Sequence, residues 1–420
     1  MGDRLLIIPI GALMFGLVGA LIWRFGQRRW PLQVGGVLLA LVVAALVSEQ
    51  GLNSRPQAAR LVAEGFGQLA LGRLAVGLLV GGLAALALEL VIAGNDGQDA
   101  GATALTVVLG APAALTLTSD SLPVVAFSTA MLMGAVWVRW QRVAGPQLLV
   151  RSLGRQTVIV FSALLAAAAI LPSVRLGAAP PLLESVLLAG AVAGEMGVLP
   201  FSGWAGASMR LGPRESSFWR IWMVPVGLLL EARLIAASPT SVATSLRELL
   251  IGLGLATALF WGARALLGPE EGRYPRILAC DVGLMCTAIA FATGQGLAAA
   301  LVLLLVHWLA GSLFIAKSGV RPKLLAWIGI SGVPPFGGFA GRILLVITAA
   351  SFSPTLAVLV LLVVGLQLGA AAVGMRTNVA SRPTTSSPPR ELIGLIVAVS
   401  GLVLGVVPVQ ALALVLGRHP

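Results

Sequence analysis

Three ionisable side chains lie inside long apolar stretches of this sequence, where they could carry or control a proton. Glu195 precedes a segment rich in glycine and proline, and Arg342 directly follows a second such segment. His307 lies near the middle of another apolar stretch. A charged side chain at membrane depth costs about 2.5–3.5 kcal/mol on insertion scales and commonly marks an ion pathway. We therefore take these three residues as candidates for a proton path or its gate.

The three candidates suit different tasks. Glu195 could carry a proton or could pair with an arginine. A histidine changes its charge near neutral pH, so His307 suits a proton relay, with a buried interhelical hydrogen bond as the alternative. Arg342 effectively never deprotonates and therefore suits a gate or a counter-charge. Glu231 and Asp281 are secondary candidates because they are less central in their apolar stretches.

The two segments rich in glycine and proline are near-copies of each other. GVLPFSGWAG at 197–206 and GVPPFGGFAG at 332–341 agree at seven of ten positions. Proline removes a backbone donor and clashes with the preceding turn, while glycine lets neighbouring chains approach closely. We predict helix breaks at these residues: Pro200, Gly203, Pro334, Pro335 and Gly338.

The composition places these residues in a polytopic membrane protein. Of the 420 residues, 58% are hydrophobic and only 10% are charged, and the mean hydropathy is +0.98. Soluble domains carry about 25% charged residues, so a cytosolic enzyme, a disordered protein and a secreted disulfide scaffold are excluded. Cys280 and Cys286 lie in one apolar segment, so we predict no disulfide framework and no metal site.

Apolar stretches bounded by charge, glycine or proline predict an all-α protein with about fourteen transmembrane helices. The predicted spans are 4–23, 31–48, 67–93, 100–118, 121–140, 153–172, 181–204, 217–237, 246–267, 275–294, 296–316, 323–351, 354–374 and 391–416. We interpret the first stretch as a span and not as a signal peptide, because it lacks a convincing cleavage site.

The distribution of basic residues predicts the orientation. The net charge is +12, but the 28 basic residues fall almost entirely between spans, which is typical of topology signals and not of nucleic-acid binding. Nineteen fall in loops on one side and eight on the other, so we expect both termini on the non-cytoplasmic side. Glu89 and Lys317 lie near span ends, where snorkelling or loop solvation explains them.

The near-copies fall in the seventh and twelfth spans, which cross the membrane in opposite senses. This arrangement predicts two inverted five-helix repeats with broken helices, as in many transporters. We expect an N-terminal three-helix segment at 1–99, the first repeat (helices 4–8) at 100–245, the second (helices 9–13) at 246–380, and a C-terminal helix at 381–420.

At these residues the sequence resembles the antiporter-like membrane subunits of respiratory complex I, a family shared with Mrp-type cation/proton antiporters and membrane-bound hydrogenases. The stretch GVPPFGGFAGR at 332–342 is similar to the motif of that family's broken twelfth helix. The stretches EMGVLPFSGW at 195–204 and HWLAGSLFIAKSG at 307–319 resemble its seventh-helix and eleventh-helix motifs. The likeness covers most of the chain by helix order, but only about 180–345 by motif.

The chain departs from the family at most of the charged positions of the mid-membrane axis. His307 matches the family residue, while the seventh-helix lysine becomes Glu195 and the twelfth-helix lysine or glutamate becomes Arg342. The remaining positions are neutral: Thr129 replaces the fifth-helix glutamate, Pro225 or Val226 the eighth-helix lysine, and Gly311 the eleventh-helix lysine.

The resemblance implies a proton-translocating subunit of a redox-driven NADH:quinone oxidoreductase-like complex in a bacterial inner membrane. Such a subunit has no redox site of its own, so redox cofactors are expected in partner subunits and none in this chain. The departures leave a structural, non-pumping spacer as the alternative. A stand-alone cation/proton antiporter is a further alternative. The expected surroundings are lipid and other membrane subunits, with no nucleic acid.

Overall fold

A computed structural model describes most of the chain. The described residues are 7–26, 30–53, 71–93, 99–119, 121–144, 148–177, 179–203, 213–270, 272–315, 320–380, 399–403 and 405. Within these ranges every regular element is a helix and none is a strand, so the all-α prediction is confirmed.

The chain divides into two compact units, residues 1–64 with 68–249 and residues 65–67 with 250–420. The first unit contains α1 (Ile7–Phe25), α2 (Trp30–Asn53), α3 (Leu71–Ala93), α4 (Ala100–Val108), α5 (Gly110–Thr118), α6 (Leu122–Ala144), α7 (Leu148–Arg175), α8 (Pro181–Met196), α9 (Pro213–Phe218), a π-helical turn (Trp219–Met223) and α10 (Val224–Ala237). The helix α11 (Thr240–Leu267) contains the division point. The second unit continues with α12 (Arg273–Ala290), α13 (Gly294–Ile315), α14 (Val320–Ser331), α15 (Gly337–Phe352) and α16 (Pro354–Ala380).

Several of these helices have the length and composition of membrane spans. Five in the described ranges are long and apolar enough to cross a bilayer: Leu122–Val143, Val150–Arg175, Thr240–Leu267, Gly294–Leu313 and Pro354–Thr377. They support a membrane-embedded chain. The count of fourteen spans stays a prediction, since only residues 399–403 and 405 of the last predicted span are described.

Both segments rich in glycine and proline end a helix. α8 ends at Met196, and the next residue, Gly197, has a φ of 74°. α14 ends at Ser331, and Gly332 has a φ of 77°. A left-handed glycine directly after the last helical residue is a common helix terminator, because it has no Cβ to clash with the preceding carbonyl.

The predicted break residues lie at or beside these helix ends. Pro200 lies in the non-helical stretch after α8, and Pro334 and Pro335 lie between α14 and α15. Gly203 is the last described residue before 213, and Gly338 lies in the first turn of α15. Each proline therefore occupies a position where no helical hydrogen bond is required of it.

A further interruption divides the fourth predicted span into α4 and α5. α4 ends at Val108, Leu109 separates the helices, and α5 begins at Gly110. Pro112 lies in the first turn of α5, where its missing N–H removes no internal bond of that helix. The sequence analysis predicts one helix over 100–118, and the structure shows two; Gly-Ala-Pro at 110–112 is the sequence signal for the interruption.

The second unit contains a crossing where two backbones touch. A Cβ built on Gly254 of α11 lies 2.7 Å from the carbonyl oxygen of Gly283 on α12. A Cβ built on Gly283 in turn lies 2.6 Å from the carbonyl oxygen of Gly254. Backbone atoms cannot move aside as a flexible side chain can, so this crossing requires glycine on both helices.

We expect Gly254→Ala to destabilise the protein by about 1–3 kcal/mol, the usual effect of forcing extra volume into a packed interface. Gly252, on the same helix, has no atom within 4 Å of a built Cβ. The control Gly252→Ala is therefore expected to be neutral or to stabilise the helix by up to about 1 kcal/mol. Denaturant unfolding of both variants in detergent micelles measures the difference, and equal stabilities would contradict the crossing.

Candidate functional site

Glu195 is a fully buried carboxyl at the end of a helix. It is the penultimate residue of α8 and has an exposure of 0%. Neither carboxylate oxygen has a hydrogen-bond partner among the described residues. On α10, a Cβ built on Gly227 would clash with Cγ of Met196 and lies 3.5 Å from Cγ of Glu195, so the glycine makes room for Met196 and lies in ordinary contact distance of Glu195. Such an environment tolerates an ionised carboxylate poorly.

The position where the resemblance places a partner for this group carries no charge. Thr129 lies on α6 and is fully buried, and its hydroxyl has no hydrogen-bond partner within the described part of the chain. Val226 and Pro225, at the eighth-helix lysine position, are buried on α10. The neutral residues at these two family positions are therefore buried.

Arg342 and Asp281, candidates from separate spans, form a buried ion pair. Nη2 of Arg342 donates to Oδ1 of Asp281 at 2.8 Å, and Nε donates to Oε1 of Gln367 at 2.8 Å. Nε2 of Gln367 donates to the same oxygen of Asp281 at 2.8 Å. The exposures are 2% for Arg342, 1% for Asp281 and 0% for Gln367. Charges this deep are tolerated only when they are paired and hydrogen-bonded.

Arg342 also connects the two helices on either side of the interruption. Nη2 donates to the carbonyl of Ile330 on α14 at 2.7 Å, and Nη1 donates to the carbonyl of Gly338 on α15 at 3.1 Å. A Cβ built on Gly332 lies 2.6 Å from Nη1, so this glycine makes room for the guanidinium. The side chain thus hydrogen-bonds a carbonyl group on each side of the break.

Gln367 is a member of this cluster that the sequence analysis missed. It lies on α16, and its only signal was being an uncharged polar residue inside the apolar stretch 354–374. Of the remaining candidates, His307 is fully buried on α13 and Glu231 is fully buried on α10.

A second buried ion pair lies in the first unit, and here the sequence analysis was wrong. Glu89, which we expected to be solvated near a span end, is 5% exposed on α3 and pairs with Arg220 of the π-helical turn. Arg220, near the start of the predicted span 217–237 and one of the nineteen basic residues assigned to one side, is 1% exposed. Oγ of Ser217 donates to Oε2 of Glu89 at 2.7 Å. The pair is buried because each charge neutralises the other.

A third charged cluster lies at the start of α4, outside the apolar part of that helix. Arg139 pairs with Asp99 and, at 3.1 Å, with Glu215. Burial raises the pKa of Asp99, but the Arg139 guanidinium and the amides of Ala102 and Gly101 outweigh it and hold that pKa below its usual range. Glu215 is buried more deeply, and desolvation raises its pKa despite Arg139. Arg139 thus lowers both pKa values, and the deeper burial of Glu215 gives the two carboxyls net shifts in opposite directions.

Metal ligands are not gathered in the described ranges. No group of three or more His, Cys, Asp or Glu residues there could hold a metal ion. The expectation that this chain carries no redox cofactor stays a prediction.

No protein-family description matches the sequence, and no curated protein matches it either. Solved structures do match. A chain of the Mrp complex from Dietzia sp. DQ12-45-1b is 17% identical with a TM-score of 0.76, over 99% of this chain and 51% of that one. This protein therefore spans about half the length of the Mrp chain.

Two further structures belong to respiratory complexes. A chain of the membrane-bound sulfane sulfur reductase, an archaeal respiratory membrane complex, is 16% identical with a TM-score of 0.75, over 95% of this chain and 76% of that one. A chain of respiratory complex I from Thermus thermophilus with bound NADH is 17% identical with a TM-score of 0.72, over 98% of this chain and 97% of that one.

These likenesses define the fold class. The chain has the antiporter-like fold found in membrane subunits of the Mrp complex and of respiratory complexes, which confirms the expected resemblance at the level of the fold. Function does not follow from a shared fold alone, because a fold can retain its helices while its site residues change.

Proposed function

We propose that this chain is a proton-translocating, antiporter-like membrane subunit of a redox-driven complex related to NADH:quinone oxidoreductase. The observation that carries the proposal is Glu195, a buried carboxyl without a hydrogen-bond partner in the described residues, located where α8 ends. Redox cofactors and the electron-transfer reaction belong to partner subunits in a bacterial inner membrane. Both termini are assigned to the non-cytoplasmic side.

Glu195 has the properties of a group that changes its protonation during transport. An unpaired carboxylate in an apolar interior is costly, so the neutral acid is the favoured form at rest. Water or a positive charge that reaches the interruption after Met196 stabilises the ionised form and releases the proton. Backbone groups at a helix interruption attract such water because they lack helical partners.

In the second unit, Arg342 acts as a fixed positive charge and His307 as the titratable group. The guanidinium cannot give up its proton, so it controls proton passage by electrostatic repulsion and carries none itself. Asp281 neutralises part of that charge, and Glu231 in the first unit remains a secondary carrier candidate. This division of roles follows the charge types present at each position.

A structural spacer is the second candidate, and one observation favours it. The Arg342 cluster is closed, with Asp281 and Gln367 both hydrogen-bonded to the guanidinium, and the family's charged positions at Thr129 and Gly311 are neutral. In that function the chain maintains the spacing of its neighbours and transports nothing. A stand-alone antiporter is excluded if redox subunits co-purify with the chain from native membranes.

The deciding experiment compares Glu195→Gln with wild type in the intact assembly, purified and reconstituted into proteoliposomes. The ratio of protons moved to electrons transferred is recorded together with the electron-transfer rate. We expect the ratio to fall by the share of transport that this subunit contributes, because glutamine cannot carry the proton.

A matched control lies on the same helix. Glu184 is also buried on α8, eleven residues before Glu195, and Glu184→Gln is expected to keep the wild-type ratio. An unchanged ratio in Glu195→Gln, with the assembly intact, would establish the spacer function instead.

A further inference from the structure

The π-helical turn Trp219–Met223 has a cause in the sequence. In an α-helix the N–H of residue 225 would bond the carbonyl of Ile221, but Pro225 has no N–H and its ring clashes with that carbonyl. The chain widens instead, and the N–H of Val224 bonds the carbonyl of Trp219 five residues earlier. The carbonyl of Ile221 lies 3.0 Å from a Cβ built on Gly82 of α3. Single π turns of this kind occur frequently at functional sites.

The π-helical turn places the Trp219 indole against the end of α8, next to Glu195. Nε1 of Trp219 donates to the carbonyl of Met196 at 2.9 Å. Met196 is the last residue of α8 and the chain neighbour of Glu195. Carbonyls in the last turn of a helix lack intrahelical partners, and the Trp219 indole supplies one for Met196.

The same turn is anchored on its other side by charge. Arg220, the next residue after Trp219, pairs with Glu89 on α3, and Ser217 donates to that carboxylate. All five residues of the turn are buried. A buried ion pair has a narrow range of acceptable geometries, so it fixes the orientation of the residue beside it.

We propose that Trp219 is a positioning residue for Glu195, with the Arg220–Glu89 pair holding the indole in place. The bond to Met196 fixes where the interruption begins and therefore how deep the Glu195 carboxyl lies. A change in the ion pair reaches Glu195 through the indole, without direct contact between the charges. This inference rests on the proposed function of Glu195.

The test uses infrared spectroscopy of the full chain in lipid nanodiscs. The carboxylic C=O stretching band of Glu195 is assigned by subtracting the spectrum of Glu195→Gln. The first variant, Trp219→Phe, keeps the ring but loses the donor. We expect it to shift the band and to change the protonation equilibrium of Glu195 by about three- to tenfold, the range that corresponds to one hydrogen bond.

The turn itself offers the matched control. Trp222 is equally buried, and its Nε1 donates to the carbonyl of Thr106 at 2.7 Å, away from the end of α8. Trp222→Phe loses a comparable bond and is expected to leave the Glu195 band in place. A second variant, Arg220→Lys, keeps the charge but weakens the pair with Glu89, and is expected to shift the band in the same sense as Trp219→Phe. If Trp219→Phe does not fold, Arg220→Lys tests the positioning role instead.

The outcomes separate the two proposals. A Glu195 band that moves in neither Trp219→Phe nor Arg220→Lys overturns the positioning role and leaves the proposed function standing. Equal shifts in Trp219→Phe and Trp222→Phe overturn it as well, because the effect is then a general loosening of the turn. If wild type shows no carboxylic band that depends on Glu195, the proposed function fails and the inference fails with it.

Discussion

Replacing Arg342 by leucine is expected to destabilise the folded chain by about 3–5 kcal/mol, the usual effect of removing one partner of a buried ion pair. The loss leaves Asp281 charged and unpaired at 1% exposure. It also removes the guanidinium hydrogen bond that reaches the carbonyl of Ile330 across the interruption and the one to the carbonyl of Gly338 on the same helix. Urea unfolding in detergent micelles, followed by tryptophan fluorescence, measures the change.

The double variant Arg342→Leu with Asp281→Leu is the control for this prediction. Replacing both members of a buried pair by apolar residues is often nearly neutral, because the desolvation of two charges is also removed. We expect it to recover most of the lost stability, although the carbonyl partners stay unsatisfied. If the double variant is as unstable as the single one, the charge of Asp281 contributes little and the carbonyl bonds dominate.

The second large effect is expected at the ion pair in the first unit. Arg220→Leu strands the Glu89 carboxylate at 5% exposure, with Ser217 as its remaining hydrogen-bond donor in the described structure. We expect a loss of about 3–5 kcal/mol here as well. Glu89→Leu alone should cost a similar amount, since it removes the carboxylate that neutralises the buried guanidinium. Chemical denaturation of each variant in the same micelles provides the measurement.

A double-mutant cycle distinguishes a true pair from two independent contributions. If the two residues are coupled, the double variant is less destabilised than the sum of the two single variants. The difference is the coupling energy, about 0.5–3 kcal/mol for residues in contact. Additive effects would show that Glu89 and Arg220 stabilise the chain separately. The pair Arg139 and Asp99 serves as a comparison, because it is more exposed and its cycle should give a smaller coupling energy.

The sequence was sufficient for the fold class because apolar length and charge spacing are local properties. Stretches long enough to span a bilayer predict helices whatever their neighbours are. The repeated glycines and prolines at 197–206 and 332–341 likewise located the helix ends after Met196 and Ser331. These signals need no knowledge of which helix packs against which.

Partnerships between helices could not be predicted in the same way. Asp281 and Arg342 are 61 residues apart, and Gln367 is 86 residues from Asp281. Each was visible as a polar residue in an apolar stretch, but nothing local indicates that they meet. Their pairing depends on helix rotation and packing, which a span list does not contain.

The largest errors concerned Glu89 and Arg220, because charge near a span end has two explanations. A side chain that snorkels into the loop and one that pairs within the protein give the same sequence pattern, a charged residue near the end of an apolar stretch. The structure distinguishes the two, because Arg220 is buried in the π turn Trp219–Met223 and pairs with Glu89. Pro225 carried that information, but proline in a membrane helix more often indicates only a kink.

A break in a helix ordinarily acts as a hinge, which absorbs movement between the two helical segments. In the second unit, the side chain of Arg342 lies at the break between α14 and α15 and hydrogen-bonds a carbonyl on each helix. Because a guanidinium keeps its charge at any physiological pH, the hydrogen bonds of Arg342 are not weakened by deprotonation of that side chain. We therefore expect a tilt of α15 to be transmitted to α14 through the hydrogen bond between Arg342 and Ile330. A titratable residue at position 342 would be expected to allow more bending between the two helices.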